Sequence, residues 1–144
     1  MLRLKNRWLI VCGIVVTFVS LYLMVTFSQN CLSKNGVYIR LDKANYTVDE
    51  KPVLTIKNSG PNEITFGVDY EIYMKVGEDW VEVPALGPNT AWTAALCILP
   101  HCKSYRQLID LSRFGPGDYR VFKTVRDEVT GVSTTFVVKF KIIK

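Results

Sequence analysis

The chain has 144 residues, with 18 Lys and Arg against 13 Asp and Glu, four Cys and a single His, and 49% of its residues are hydrophobic. One histidine excludes metal centres that require two or more, the two-His-one-Cys blue-copper arrangement among them. The formal charge of +5 does not describe a nucleic-acid-binding domain, because Arg3, Lys5 and Arg7 carry three of the excess charges and 15 Lys and Arg face 13 Asp and Glu beyond residue 30.

Residues 1–7 form a basic flank, and Trp8 to Phe27 then runs 20 residues without a charge. That length matches the roughly 20 residues of 1.5 Å rise that cross a bilayer core, and it exceeds the roughly 7–15 apolar residues of a signal-peptide core. A transmembrane helix over 8–27 that acts as a signal anchor is therefore expected, with a cleaved signal sequence as the competing reading. Positive charge before the run and Ser28, Gln29 and Asn30 after it place the N-terminus in the cytoplasm and the rest outside, as a single-pass protein of the cell membrane. Cys12 lies in the apolar run and Cys31 at its exit, in a linker read as 28–35.

From residue 36 to 144 the dominant period is two, with β-branched and aromatic residues in short runs broken by Gly, Pro, Asn and Asp. Strands are predicted around 36–41, 51–57 and 63–67. Tyr70, Ile72, Met74 and Val76 alternate with Glu71, Tyr73 and Lys75, and Gly77-Glu78-Asp79 turns the chain into Trp80-Val81-Glu82-Val83, which predicts a hairpin.

The stretch from Pro84 to Pro100 has no charged residue and carries Trp92, Leu96, Ile98 and Leu99. It is expected to cover an end of the core, since leaving large apolar surface wet is costly; any part left exposed is a candidate binding loop, made of Trp92, Leu96, Ile98, Leu99 and His101. Cys97 and Cys102 bracket four residues in a compartment that permits oxidation, which makes a local disulfide the plain reading.

A further strand is predicted at 103–111, and a second hairpin joins Asp118–Arg126 to Val132–Ile142 through Asp127, Glu128 and Gly131. In its last run Thr134, Phe136, Val138, Phe140 and Ile142 share one face while Ser133, Thr135, Lys139 and Lys141 share the other, with Val137 the exception. About eight strands suffice for two packed sheets. The fold class is thus all-β, an immunoglobulin-like sandwich of about 7–8 strands behind one N-terminal helix.

The order Asn45-Tyr46-Thr47-Val48-Asp49-Glu50, Val53-Leu54-Thr55-Ile56-Lys57-Asn58 and Glu63-Ile64-Thr65-Phe66-Gly67 resembles the opening of bacterial immunoglobulin-like domains of cell-surface proteins. Gly115-Pro116-Gly117-Asp118-Tyr119-Arg120 is similar to that family's turn into its penultimate strand. The resemblance implies a tyrosine corner at Gly117 and Tyr119, with Gly115 and Gly117 permitting backbone angles closed to other residues. The chain departs from the family at Leu99-Pro100-His101-Cys102-Lys103, where a short Pro-Gly turn is usual.

No Gly-x-Ser-x-Gly, phosphate loop or His-Glu-x-x-His motif occurs, and Glu71, Glu78, Asp79, Asp127 and Glu128 fall in turns or on outward positions instead of converging. Neither an enzyme nor a cofactor is expected. The expected partners are the membrane and an unknown protein or envelope polymer. The alternative is an inhibitor or accessory subunit of a protease or other envelope enzyme, presenting a disulfide-braced 84–102 loop that loses little entropy on binding.

Overall fold

The computed structural model describes residues 31–86 and 91–144; the expected membrane segment 8–27 lies outside the described residues. Among the described residues no helix is long and apolar enough to cross a membrane. They form strands β1 (Cys31–Lys34), β2 (Val37–Leu41), β3 (Asn45–Tyr46), β4 (Val53–Asn58), β5 (Ile64–Gly67), β6 (Glu71–Val76), β7 (Asp79–Val83), β8 (Leu96–Leu99), β9 (Ser104–Leu108), β10 (Gly117–Asp127) and β11 (Ser133–Ile142).

A smaller sheet has the order β1-β2-β4-β9, and a larger one runs β3-β11-β10-β5-β8, with the β6–β7 hairpin joined to β10. All pairings are antiparallel except the short β3–β11 contact. The two predicted hairpins are present, as β6–β7 and β10–β11. The eleven strands exceed the eight expected. One added strand, β1, lies in the segment read as a linker: Asn35 and Gly36, both at positive φ (53° and 77°), reverse the chain so that Cys31–Lys34 pairs with β2. The other additions are the two-residue β3 and the edge strand β8.

Alternation is what builds the core. Val37, Ile39 and Leu41 of β2 and Leu54 and Ile56 of β4 face Tyr119, Val121 and Val125 of β10 and Phe136, Val138, Phe140 and Ile142 of β11, all buried, while the intervening side chains point to water. Tyr119 and Phe140 stack with centroids 5.4 Å apart.

Among the described residues three polar side chains are buried, Asn58, Thr65 and Lys123, and two of them tie the core together. Asn58, fully buried, donates to Asn62 O (2.8 Å) and Leu99 O (3.0 Å) and accepts from the Gly60 amide, so it fixes the β4–β5 turn and holds β8. Lys123 occupies the inward row of β10 between Val121 and Val125, 2% exposed, and its ammonium donates to Gly67 O and Asp69 O, each at 2.6 Å, and to Gln107 Oε1 at 3.3 Å. Gln107 of β9 in turn donates to Val68 O. The β5–β6 connection is thereby held from both sheets. Burial lowers the Lys123 pKa from its ordinary value, a shift that Asp69 and Cys97 partly oppose.

Tyr119 sends its hydroxyl back to Gly115 O at 2.8 Å, with Met74 Sδ 3.2 Å away. Gly115 and Gly117 are not at positive φ, so the turn does not use the left-handed angles that glycine permits. A Cβ added at Gly117 would meet the Tyr119 ring at 3.5 Å, an ordinary contact, and one at Gly115 would meet nothing within 4 Å. The corner rests on the hydroxyl, so Tyr119→Phe should lower stability by about 1 kcal/mol. Urea denaturation checks this, and an unchanged midpoint would show that Gly115 O finds another donor.

Candidate functional site

Within the uncharged stretch between Glu82 and His101, two described parts have opposite fates. Trp92 leans on Tyr70, ring centroids 4.7 Å apart, and packs half-buried against the core. Leu96–Leu99 forms β8, paired antiparallel to β5 and last in the order of the larger sheet. Its alternation puts Cys97 and Leu99 inward, and Leu96 and Ile98 outward at 69% and 59% exposure.

The cause of that exposure is the neighbouring strand. Leu96 lies opposite Gly67, which has no side chain, and Ile98 lies opposite Thr65, whose hydroxyl is drawn to Glu128. Nothing on β5 is large enough to shade the two apolar side chains. Among the described residues no strand pairs with β8 on its other side, and β8 carries none of the charged side chains that ordinarily discourage a second chain from pairing there; Pro100, just beyond it, limits the edge. Such an edge suits addition of an extended peptide, whose backbone supplies the hydrogen bonds while Leu96 and Ile98 supply the apolar contact.

The expected disulfide is not formed: Cys97 and Cys102 are free thiols. Cys97 points from β8 toward Tyr105, whose pKa is raised by burial and by a hydrogen bond with that thiol. Cys102 sits beyond the Pro100 turn at φ 62°, exposed, with Sγ 2.8 Å from His101 Nε2. One thiol faces the core and the other faces water, so the side-chain directions do not meet. The segment is stiffened instead by pairing with β5, by the bond from Asn58 to Leu99 O and by the bond between the Asn58 amide and Lys103 O at 3.0 Å.

The five residues of the candidate binding loop therefore separate. Leu96, Ile98 and His101 are exposed, Leu99 is buried and Trp92 is half-buried. The His101 ring is occupied on both sides, Nδ1 at Gly60 O and Nε2 at Cys102 Sγ. Among the described residues no three His, Cys, Asp or Glu side chains gather as metal ligands.

Outside this segment, the outer face of the larger sheet carries Arg120 over the Trp80 ring, 3.7 Å from its centroid, and Tyr73 against Phe122 at 4.7 Å. Arg120 Nε is buried without a hydrogen-bond partner, so the stacking holds the guanidinium. The signal for this pair was present in the sequence as outward positions of predicted strands.

Two packed sheets, a tyrosine corner on the penultimate strand and a core drawn from both inner faces define an immunoglobulin-like sandwich. The chain belongs to the bacterial Ig-like domain family, whose model matches residues 33–138. A comparison with curated proteins gives no match.

Proposed function

We propose that this chain is a non-catalytic binding module held at the outer face of the cell membrane, and that it recognises its partner by taking an extended, uncharged segment of another protein onto β8. The observation that carries the reading is the uncharged β8 edge, with Leu96 and Ile98 exposed opposite Gly67 and Thr65. The membrane location draws its support from the 20 uncharged residues Trp8–Phe27 behind Arg3, Lys5 and Arg7. An inhibitor with a disulfide-braced loop is the weaker reading, because the thiols are free and Leu96–Leu99 within that loop is a paired strand.

The test places a photo-crosslinking amino acid at Leu96 in the full chain on living cells, with a second site at exposed Thr135 as control. A discrete adduct from position 96 alone is expected, and Ile98→Lys should abolish it, since a lysine at a strand edge opposes pairing. The variant should keep its stability within about 0.5 kcal/mol, because Ile98 is exposed. An adduct that survives Ile98→Lys would overturn the edge reading. Topology is read separately with a membrane-impermeant maleimide, in cells whose protein has Cys12 and Cys31 replaced by serine. Exposed Cys102 should be labelled on intact cells; labelling only after permeabilisation would overturn the extracytoplasmic placement.

A further inference from the structure

The near balance of charge beyond residue 30 conceals a segregation. On the smaller sheet the outward positions of β2, β4 and β9 are Tyr38 and Arg40, Val53, Thr55 and Lys57, and Ser104, Arg106 and Leu108, because the alternate residues Val37, Ile39, Leu54 and Ile56 point into the core. Register aligns them in rows: Arg40 and Arg106 both lie opposite Thr55, one from each side, and Tyr38 and Ser104 both lie opposite Lys57.

Strand spacing then sets Arg40 and Arg106 about 10 Å apart at the backbone, with Lys57 about 7 Å further along the middle strand. Three long cationic side chains thus surround one patch of sheet. An open groove of about 490 Å³ lies there, lined by Tyr38, Arg40, Thr55, Lys57, Ser59 and Ser104. The lining holds four hydroxyl groups and no carboxylate. Among the described residues the ion pairs are Lys43–Glu50 and Lys141–Asp118, so Arg40, Lys57 and Arg106 have no acidic partner within the fold.

The place of this face in the chain indicates what it meets. Its sheet is edged by β1, which starts at Cys31, and only Ser28, Gln29 and Asn30 separate that residue from the apolar run ending at Phe27. A few extended residues reach no more than about 15 Å. Tyr38, 37% exposed, and Leu108, 61% exposed, stand at two corners of the cationic patch. Cations flanked by an aromatic and an aliphatic side chain suit a bilayer interface, where the charges meet anionic headgroups and the apolar groups enter the headgroup boundary.

The geometry points to docking of the outward face of β2, β4 and β9, through Arg40, Lys57 and Arg106, on the phosphate groups of anionic lipids in the membrane that holds the chain. This inference rests on the anchoring role given above to residues 8–27. Docking fixes the sandwich flat beside its anchor and leaves the β8 edge, on the other sheet, free for a partner.

The test uses the full chain with an environment-sensitive fluorophore on Ser104→Cys or, as control, on Thr135→Cys of the larger sheet's outer face, with Cys12, Cys31 and Cys102 changed to serine. Each labelled chain is mixed with vesicles that carry a headgroup quencher, made either of neutral phosphatidylcholine or of the same lipid with phosphatidylglycerol. The expected result is quenching at 104 and not at 135, in anionic vesicles only, weakened by salt. Replacing Arg40, Lys57 and Arg106 together with glutamine should lower the docked-to-free ratio roughly 100-fold at low salt; all three are exposed, so the fold should persist.

Flotation separates the two readings. A chain that floats with neutral vesicles retains its anchor, and if position 104 is then quenched no more than 135 in anionic vesicles, docking is overturned while anchoring stands. A chain that floats only with anionic vesicles, and not after the triple substitution, supports the docking face and sinks the anchor. Flotation with neither overturns both. A fluorophore at 104 that ignores lipid but responds to added polyglycerol phosphate assigns the face to a soluble phosphodiester polymer and overturns the lipid inference.

Discussion

Gly36→Ala is expected to destabilise the sandwich by about 2–4 kcal/mol, the sum of a backbone torsion penalty and a steric one. Gly36 sits at φ +77°, where an L side chain is strained, and a Cβ built there would lie 2.6 Å from Gly60 Cα and 2.7 Å from Gly60 N. Both obstacles are backbone, so no rotamer change relieves them. The approach is reciprocal, since a Cβ on Gly60 would lie 2.8 Å from Asn35 O, and it is held by the bond from Ser59 N to Gly36 O at 2.8 Å. Gly36 therefore joins the β1–β2 turn to the β4–β5 turn. Gly77 separates the two contributions: it has φ +62° but nothing within 4 Å of its added Cβ, so Gly77→Ala should cost only about 1 kcal/mol. Urea denaturation of the two variants decides the matter, and equal losses would mean that the close approach to Gly60 does not matter.

That turn also shows how far the sequence could be read. Asn35-Gly36 is the dipeptide most often found where two strands reverse through positive φ, yet the residues before it, Cys31 to Lys34, lie at the end of an apolar run and do not alternate clearly. Their role as β1 follows from pairing with β2, which local pattern does not encode. The hairpins β6–β7 and β10–β11 were legible because both strands of each alternate and the turn lies between them. In β8 the alternation of Leu96, Cys97, Ile98 and Leu99 is invisible to a hydrophobicity pattern, since all four residues are apolar; only the small neighbours Gly67 and Thr65 decide which side is covered.

The basic face was hidden for a different reason. Arg40, Lys57 and Arg106 belong to three strands far apart in sequence, and net charge sums over them without recording that register brings them together. The disulfide expectation failed through direction: four intervening residues say nothing about a strand that turns Cys97 inward before a turn that leaves Cys102 outside. Lys123 had a signal that could have been used. It occupies the third place in the row Tyr119, Val121, Lys123, Val125, so strict alternation assigns it to the core, against the usual exposure of lysine.

Lys123→Ala should carry the larger loss, about 3–5 kcal/mol, because it opens a cavity and also removes the donor on which Gly67 O and Asp69 O rely. Lys123→Met refills most of the volume and relieves the cost of burying an ammonium, so its loss should be smaller, about 1–3 kcal/mol. A methionine variant more stable than the parent would show that the two carbonyls do not depend on Lys123. The pH dependence gives a second readout. Burial holds the folded pKa of Lys123 below its unfolded value of about 10.4. Between those two values the unfolded chain binds the proton that the folded chain has released, so the contribution of this residue to stability rises with pH across that window; below it the cost of burying the charge is fully present. Neither variant has that titration. The gap in urea midpoint between parent and Lys123→Met should therefore widen in favour of the parent as pH increases from near neutrality toward the ordinary lysine range, provided the neutral amine still donates to the carbonyls. A gap that stays constant would mean that Lys123 titrates alike in both states and that the ammonium is solvated in the fold.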